Sequence, residues 1–202
     1  DYTPSPEAKY PQAVDEIYAA VKWVAENDAE LDLDRRRMAL VGNSAGGNMA
    51  LAAALLAKKR HAPAVRALVL LWPVTSASSD WKSYALYGGE RFLTAPLMKW
   101  MFGKYVSDPA QRGNDLMSPV RASAERLRGL PATLIVVAEN DILRDEGEAM
   151  GRRLDEAGVE VTTVRFNGVV HDWGMLNGFA ALHPTRTLIR LVGSVLRDYL
   201  EK

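Results

Sequence analysis

Apolar residues recur along the chain at two spacings, one typical of helices and one typical of buried strands. Residues 11–27 and 184–200 carry apolar side chains every three or four positions, which predicts amphipathic helices. Residues 67–72 form an unbroken apolar run, which is typical of a parallel strand covered on both faces. The predicted elements are helices over 11–27, 45–59, 145–157 and 184–200, and strands over 37–41, 65–72, 132–137 and 159–166.

The order of these elements predicts the fold class. Strands alternate with helices, which indicates an α/β protein with a mostly parallel sheet and helices on both faces. Residues 75–120 interrupt the alternation with short helical pieces and many aromatics, so we expect a helical insertion there. A length of 202 residues without a linker-like tract predicts one domain over 1–202.

Composition narrows the classes of function. Acidic and basic residues balance at 25 each, so no charge pattern suited to nucleic acid or an anionic membrane is present. The chain has no cysteine, which excludes disulfides and thiolate catalysis and fits a cytoplasmic location. No apolar run is long enough to predict a membrane span, and no histidine and carboxylate cluster has the spacing of metal ligands.

The run Gly42-Asn43-Ser44-Ala45-Gly46 joins a predicted strand to a predicted helix. A G-x-S-x-G sequence in that context forms a sharp turn that holds the serine hydroxyl clear of the backbone, with glycines where chains pass closely. Serine becomes a nucleophile when it is positioned and a base takes its proton. Ser44 is therefore the predicted nucleophile, and the alternative is a glycine-rich turn with an incidental serine.

A base for Ser44 should follow a later strand, in the order serine, acid, histidine. Of the three histidines, His61 lies in the connection before the second strand and His183 begins the last helix. His171 follows the predicted strand 159–166 by a few residues, so it is the predicted base.

Asp141 is the predicted acid, because it lies just beyond the strand 132–137. Glu139 and Asp145 are competitors. Asp145 is expected to cap the next helix and Glu139 to support the site. Asp172 is expected to point away from the ring of His171.

These motifs resemble those of the hormone-sensitive-lipase family of α/β-hydrolases, in particular its bacterial esterases. The resemblance extends along essentially the whole chain, and one departure is Asn43 in place of the family's usual Asp. It implies hydrolysis of short-chain acyl esters without a cofactor or a catalytic metal. The matching segments are Asp1–Pro11, Gly42–Asn48, Ser118-Pro119, Asp141–Gly147 and Gly168–His171.

A second departure concerns the oxyanion hole. The family carries an H-G-G-G loop upstream of the segment that resembles Asp1–Pro11, and this sequence begins at that segment. Of the donors that form the oxyanion hole, only the Ala45 amide is then present. Gly88-Gly89 cannot replace the H-G-G-G loop, because it comes after the nucleophile in the sequence. We therefore expect an N-terminal part, or a separate fragment of the same protein, to complete the site and to pair with the outer edge of strand 37–41.

Aromatic residues are dense between positions 81 and 105, and more large apolar residues follow His171. Such residues near the carboxyl ends of the strands suit an apolar substrate pocket, although packing of the insertion is an equal alternative. The predicted substrate-binding residues are Trp81, Trp100, Phe102, Trp173 and Met175.

The sequence thus predicts a carboxylesterase that acts on a small-molecule ester through an acyl-enzyme. An amide, lactone or carbamate hydrolase with the same triad stays open, as does a non-catalytic binding scaffold of the same fold. A homo-oligomer is also left open.

Overall fold

The computed structural model describes residues 1–201, which contain a four-stranded parallel sheet in the order β1-β2-β3-β4. The predicted α/β class with a parallel sheet is confirmed. The strands are β1 (Ala39–Asn43), β2 (Ala67–Leu71), β3 (Ala132–Asn140) and β4 (Val161–Val170). The α-helices are α1 (Gln12–Glu26), α2 (Ala45–Arg60), α3 (Lys82–Tyr87), α4 (Ala95–Tyr105), α5 (Ala124–Leu127), α6 (Arg144–Glu156) and α7 (His183–Glu201).

The central strand β2 is buried on both faces, as its unbroken apolar sequence predicts. Because successive side chains of a strand point to opposite faces, Leu68 and Leu70 pack in a different core from Val69 and Leu71. The first core lies against α2 and α6, and the second against α7. Helices therefore cover both faces of the sheet.

Helix α2 is buried along most of its length because it packs between the sheet and α1. Its many alanines and glycines allow these close approaches. The helix ends at His61, which adopts a left-handed conformation and donates its backbone N–H to the carbonyls of Ala57 and Lys58. His61 thus terminates α2, at the end of the helix away from Ser44.

Several strand boundaries differ from the predicted ones, and at two of them the structure shows a local reason. Strand β1 begins at Ala39 rather than at 37, because Arg35–Arg37 form a 3-10 turn whose first residues are capped by Asp34. Strand β4 extends to Val170, four residues beyond the predicted end, and its pairing with β3 is irregular between Ala138 and Asn140. The segment before His171 is therefore strand rather than loop.

Strand β1 pairs with β2, and among residues 1–201 it has no other strand partner. Val41 in its middle is 51% exposed. Within the same described range, none of the helices has the length and apolar character needed to cross a membrane.

The insertion between β2 and β3 contains α3, α4, α5 and short 3-10 turns. Part of it packs on the residues that follow β3, in a cluster that includes Tyr84, Leu93, Met98, Ile142 and Leu143. The insertion is thereby fixed above the carboxyl ends of the strands.

The core on the α2 and α6 side provides a test of packing. Truncating the fully buried Leu70 to alanine leaves a cavity in the middle of the sheet, and we expect a loss of about 2–5 kcal/mol in the free energy of unfolding. Leu86→Ala is the control, since Leu86 is 64% exposed and should change stability by less than about 0.5 kcal/mol. Urea denaturation of both variants measures the difference, and equal midpoints would contradict the packing described.

Candidate active site

Ser44 occupies a strained turn between β1 and α2. Its backbone has φ 52° and ψ −119°, a region that residues with a side chain rarely adopt. The end of β2 and the segment that follows it hold Ser44 there. The N–H of Ser44 donates to the carbonyl of Leu71 at 2.9 Å, and the N–H of Val74 donates to the carbonyl of Ser44 at 3.1 Å.

Close packing of the turn requires glycine at positions 42 and 47. Of these two glycines, only Gly42 belongs to the pentapeptide Gly42–Gly46. A Cβ on Gly42 would overlap the carbonyl group of Gly46. One on Gly47 would lie 2.8 Å from the Cβ of Pro73. Gly46 has open space, since its nearest neighbour would be the Asn43 side chain at 4.0 Å. The sequence predicts a steric requirement for glycine at both motif positions, 42 and 46. In the structure this requirement applies to Gly42 and Gly47 instead.

Three side chains from three strand ends meet at this turn. His171 Nε2 lies 3.1 Å from Ser44 Oγ, and His171 Nδ1 lies 2.7 Å from Asp141 Oδ2. Because an ionised carboxylate only accepts, Nδ1 carries the proton in this arrangement, which leaves Nε2 to accept from the Ser44 hydroxyl. The geometry is that of a nucleophile, a base and an acid in a single relay.

The acid of this relay is fully buried. Asp141 has no exposed surface, and its second oxygen accepts the backbone N–H of Leu143 at 3.0 Å. These two contacts fix both oxygens of the carboxylate.

The competing carboxylates have other partners. Glu139 accepts the backbone N–H of Gly168 at 2.7 Å and so ties the end of β3 to the end of β4. Asp145 accepts the N–H of Ser83 and binds Arg144. The expectation that Asp145 caps α6 is wrong, because Leu143 precedes that helix and Asp145 lies inside its first turn.

Asp172 also departs from its expected position. It was expected to point away from the ring of His171, but its Oδ2 lies 3.7 Å from His171 Nε2. A left-handed backbone at Asp172, with φ 58°, turns its side chain back toward the strand ends.

An apolar cavity of about 290 Å³ opens at Ser44. The insertion supplies one wall, including the predicted residues Trp100 and Phe102, and the N-terminal segment supplies another. Ala45 also lines the cavity. Its backbone N–H belongs to the first turn of α2, where N–H groups have no acceptor within the helix, so it is free to face an oxyanion. The remaining lining residues include Tyr2, Pro4, Met49, Val74, Met98, Met101, Tyr105 and Met117.

Three other predicted substrate-binding residues lie elsewhere. Trp81 packs with the insertion and lines a separate depression beside α6. Trp173 is buried in the core against Trp72 and Phe166, with ring centroids 4.4 and 5.4 Å away. Met175 is 51% exposed after the His171 turn. The structure does not place these three in the cavity at Ser44.

Sequence reasoning missed Glu146, a fully buried carboxyl group on α6. Its Oε1 accepts the backbone N–H groups of Thr75 and Ser76 at 2.7 and 3.0 Å, which fastens the connection after β2 to α6. Burial raises the pKa of Glu146 well above its ordinary value, with the charge of nearby Asp141 acting in the same direction and the two backbone donors opposing it. The only signal for Glu146 in the sequence was its place in the segment Asp141–Gly147, which resembles a motif of the family.

The described residues 1–201 contain no group of three or more histidine or acidic side chains arranged to hold a metal ion.

A family model described as alpha/beta hydrolase fold matches residues 1–175. The chain belongs to this α/β-hydrolase family. A crystal structure of a thermostable esterase from Pseudomonas putida superposes with a TM-score of 0.97 at 48% identity, and the match covers 99% of this chain and 63% of that one. The resemblance to esterases of the hormone-sensitive-lipase type is thereby confirmed.

Curated relatives of this α/β-hydrolase are similar over most of its length. An ethyl acetate hydrolase from Pseudomonas putida is 36% identical over 173 residues, which is 85% of this chain and 54% of the relative. An arylesterase from Saccharolobus solfataricus is 35% identical over 199 residues, which is 98% of this chain and 62% of the relative. The chain thus spans between half and two thirds of the length of these relatives.

The two glycines of the hydrolase turn should respond differently to substitution. Gly42→Ala places a methyl group against rigid backbone, and we expect a loss of about 1–3 kcal/mol in stability together with loss of activity. Gly46→Ala is the matched control. Because Gly46 lies in α2 with open space, alanine there should leave stability unchanged or raise it by up to about 1 kcal/mol. Thermal unfolding of both proteins measures this, and equal destabilisation would contradict the assignment.

Glu146 should make stability depend on pH. Since its folded pKa is raised, the folded state retains a proton that the unfolded state has lost, and this stabilisation is present below about pH 4.5 and is lost as pH rises toward the folded pKa. Glu146→Gln removes this dependence. The difference in unfolding free energy between Glu146→Gln and the parent protein should therefore move in favour of the glutamine variant as the pH rises above about 4.5, by at most about 1.4 kcal/mol per pH unit.

Urea titrations at several pH values provide the measurement. Glu156→Gln, an exposed position on the same helix, serves as the control and should run parallel to the parent protein. Parallel curves for Glu146→Gln would show that this carboxyl does not hold the extra proton.

Proposed function

We propose that the protein is a serine carboxylesterase that cleaves short-chain esters through an acyl-enzyme intermediate. The observation that carries the proposal is the relay from Ser44 through His171 to Asp141, with distances of 3.1 and 2.7 Å, at the mouth of an apolar cavity. The names of the relatives, an ethyl acetate hydrolase and an arylesterase, support ester hydrolysis as the reaction.

The first half of the reaction forms the acyl-enzyme. Ser44 Oγ attacks the ester carbonyl carbon while His171 Nε2 takes the hydroxyl proton. The tetrahedral oxyanion faces the Ala45 amide, which is one donor of the oxyanion hole. His171 then gives the proton to the leaving alcohol as the bond between carbon and alcohol oxygen breaks.

The second half uses the same groups with water as the nucleophile. His171 takes a proton from water as the water oxygen attacks the acyl carbon, and the proton returns to Ser44 as the acid product leaves. Asp141 keeps the ring in one tautomer throughout and stabilises its cation. Because Asp141 is fully buried, water does not weaken its attraction for the charged ring.

The cavity supports a small, moderately apolar substrate. Its volume of about 290 Å³ is at the lower end of ligand pockets, and its lining is rich in methionine and aromatic side chains, with Lys104 as its one charged side chain. Trp100 and Phe102 are the proposed substrate-binding residues. Trp81, Trp173 and Met175 are not among the proposed substrate-binding residues, because they lie outside this cavity. The cytoplasmic location stays a prediction.

Substitution of the nucleophile tests the proposal. Ser44→Ala should lower kcat on p-nitrophenyl acetate by about 10⁴- to 10⁶-fold, because the acyl-enzyme cannot form. Ser79→Ala changes an exposed serine and should leave the rate unchanged.

The size of the cavity predicts a preference for short acyl groups. The rate at which the parent protein hydrolyses p-nitrophenyl esters should fall from acetyl and butyryl esters to octanoyl and dodecanoyl esters.

A trapping experiment identifies the intermediate directly. A fluorophosphonate probe should add one phosphonyl group to the parent protein and none to Ser44→Ala, as read by intact mass and peptide mapping. Full ester hydrolysis by Ser44→Ala, or labelling at another residue, would remove Ser44 from the mechanism. Turnover of an anilide faster than of the matching ester would favour the amidase alternative.

A further inference from the structure

Asp172 lies beside the nitrogen of His171 that exchanges a proton with Ser44. Its Oδ2 is 3.7 Å from His171 Nε2, and the same nitrogen is 3.1 Å from Ser44 Oγ. A distance of 3.7 Å is too long for a hydrogen bond but short for an interaction between charges. The carboxylate therefore acts on this nitrogen through its charge, and Nε2 stays available to Ser44.

Two donors fix the Asp172 carboxylate in this position. Trp72 Nε1 donates to Oδ1 at 2.6 Å, and Asn43 Nδ2 donates to the same oxygen at 3.2 Å. Trp72 is fully buried at the end of β2, and Asn43 is the last residue of β1. Because both donors bind Oδ1, the other oxygen remains directed toward the ring of His171.

Asn43 makes this pairing possible. The esterases that this chain resembles usually have aspartate before the nucleophile, and a carboxylate there would face that of Asp172 at about 3 Å. The amide of Asn43 can instead donate a proton to Asp172. Asn43, which replaces the usual aspartate of the family, thus has Asp172 as the acceptor for its amide N–H.

The ring of His171 lies between two carboxylates in the described structure. Asp141, from the turn after β3, faces Nδ1, and Asp172, from the turn after β4, faces Nε2. The nucleophile turn presents the neutral Ser44 hydroxyl, and the end of β2 presents the Trp72 ring, whose centroid is 6.5 Å away. When the ring takes the Ser44 proton, both carboxylates favour the resulting cation.

We propose that Asp172 is a positioning residue that stabilises the imidazolium form of His171 from the Ser44 side. It thereby sets the acid limb of the pH profile of kcat/KM, which is the pH range in which the rate falls as His171 takes up a proton. This inference rests on the proposed function. The same attraction has two effects: it lowers the energy of the transition state, in which the ring is charged, and it makes the resting ring hold a proton to higher pH.

Asp172→Asn tests the proposal with little change in shape. We expect the acid limb of kcat/KM on p-nitrophenyl acetate to move to lower pH by about 0.5–1 unit, and the plateau to fall by about 3- to 10-fold, chiefly in kcat. Asp172→Ser also removes the charge and should move the limb in the same direction. If the asparagine variant does not fold, the serine variant decides.

Asp32→Asn is the matched control, because Asp32 is exposed and also has a left-handed backbone, with φ 53°. It should leave the acid limb in place. A shift of less than about 0.2 pH unit in both Asp172 variants would overturn the proposal, since a purely structural role changes the rate without moving the limb.

A second readout separates this proposal from the proposed function. The Cε1 proton of His171, assigned from its loss in His171→Asn, is followed by NMR through a pH titration of the parent and Asp172→Asn. A lower midpoint in the variant supports the role of Asp172 even if no ester is turned over, in which case only the proposed function fails. Equal midpoints overturn the role of Asp172 even if esters are hydrolysed.

Discussion

The strained backbone of Ser44 is the constraint on which the rest of the site depends. A residue with a side chain adopts φ 52° only when its surroundings hold it there, and here the end of β2 and the segment after it do so through Leu71 and Val74. The sheet order follows from the same need, since β2 must lie beside β1 to supply those contacts. Gly42 and Gly47 provide the space in which the turn can close.

Carboxyl groups then organise the neighbouring strand ends, and two of them, Asp141 and Glu146, are fully buried. Asp141, Glu139 and Glu146 each accept backbone N–H groups, and each joins segments that are far apart in sequence or close a turn after β3. Such contacts hold in place the segments that carry the base and the acid. The active site is consequently made of short connections between rigid elements, which suits a relay that depends on distances of about 3 Å.

The sequence was sufficient for the fold class and for the residues that meet at Ser44, because strand periodicity and the order of motifs depend on local chemistry. It was insufficient where a role depends on a distant partner. Trp173 looked like a pocket residue but packs on Trp72, and Asp172 was expected to point away although its left-handed backbone turns it inward. Glu146 shows no local pattern that would reveal its binding to Thr75 and Ser76.

The contact between Trp72 and Trp173 has an optical consequence. Their ring centroids are 4.4 Å apart with planes inclined at 52°, a geometry in which the electronic transitions of two indoles couple. One indole belongs to the end of β2 and the other to the turn that carries His171. The near-ultraviolet circular dichroism of the protein should therefore contain a band that reports how that turn sits on the sheet, in the absence of any added label.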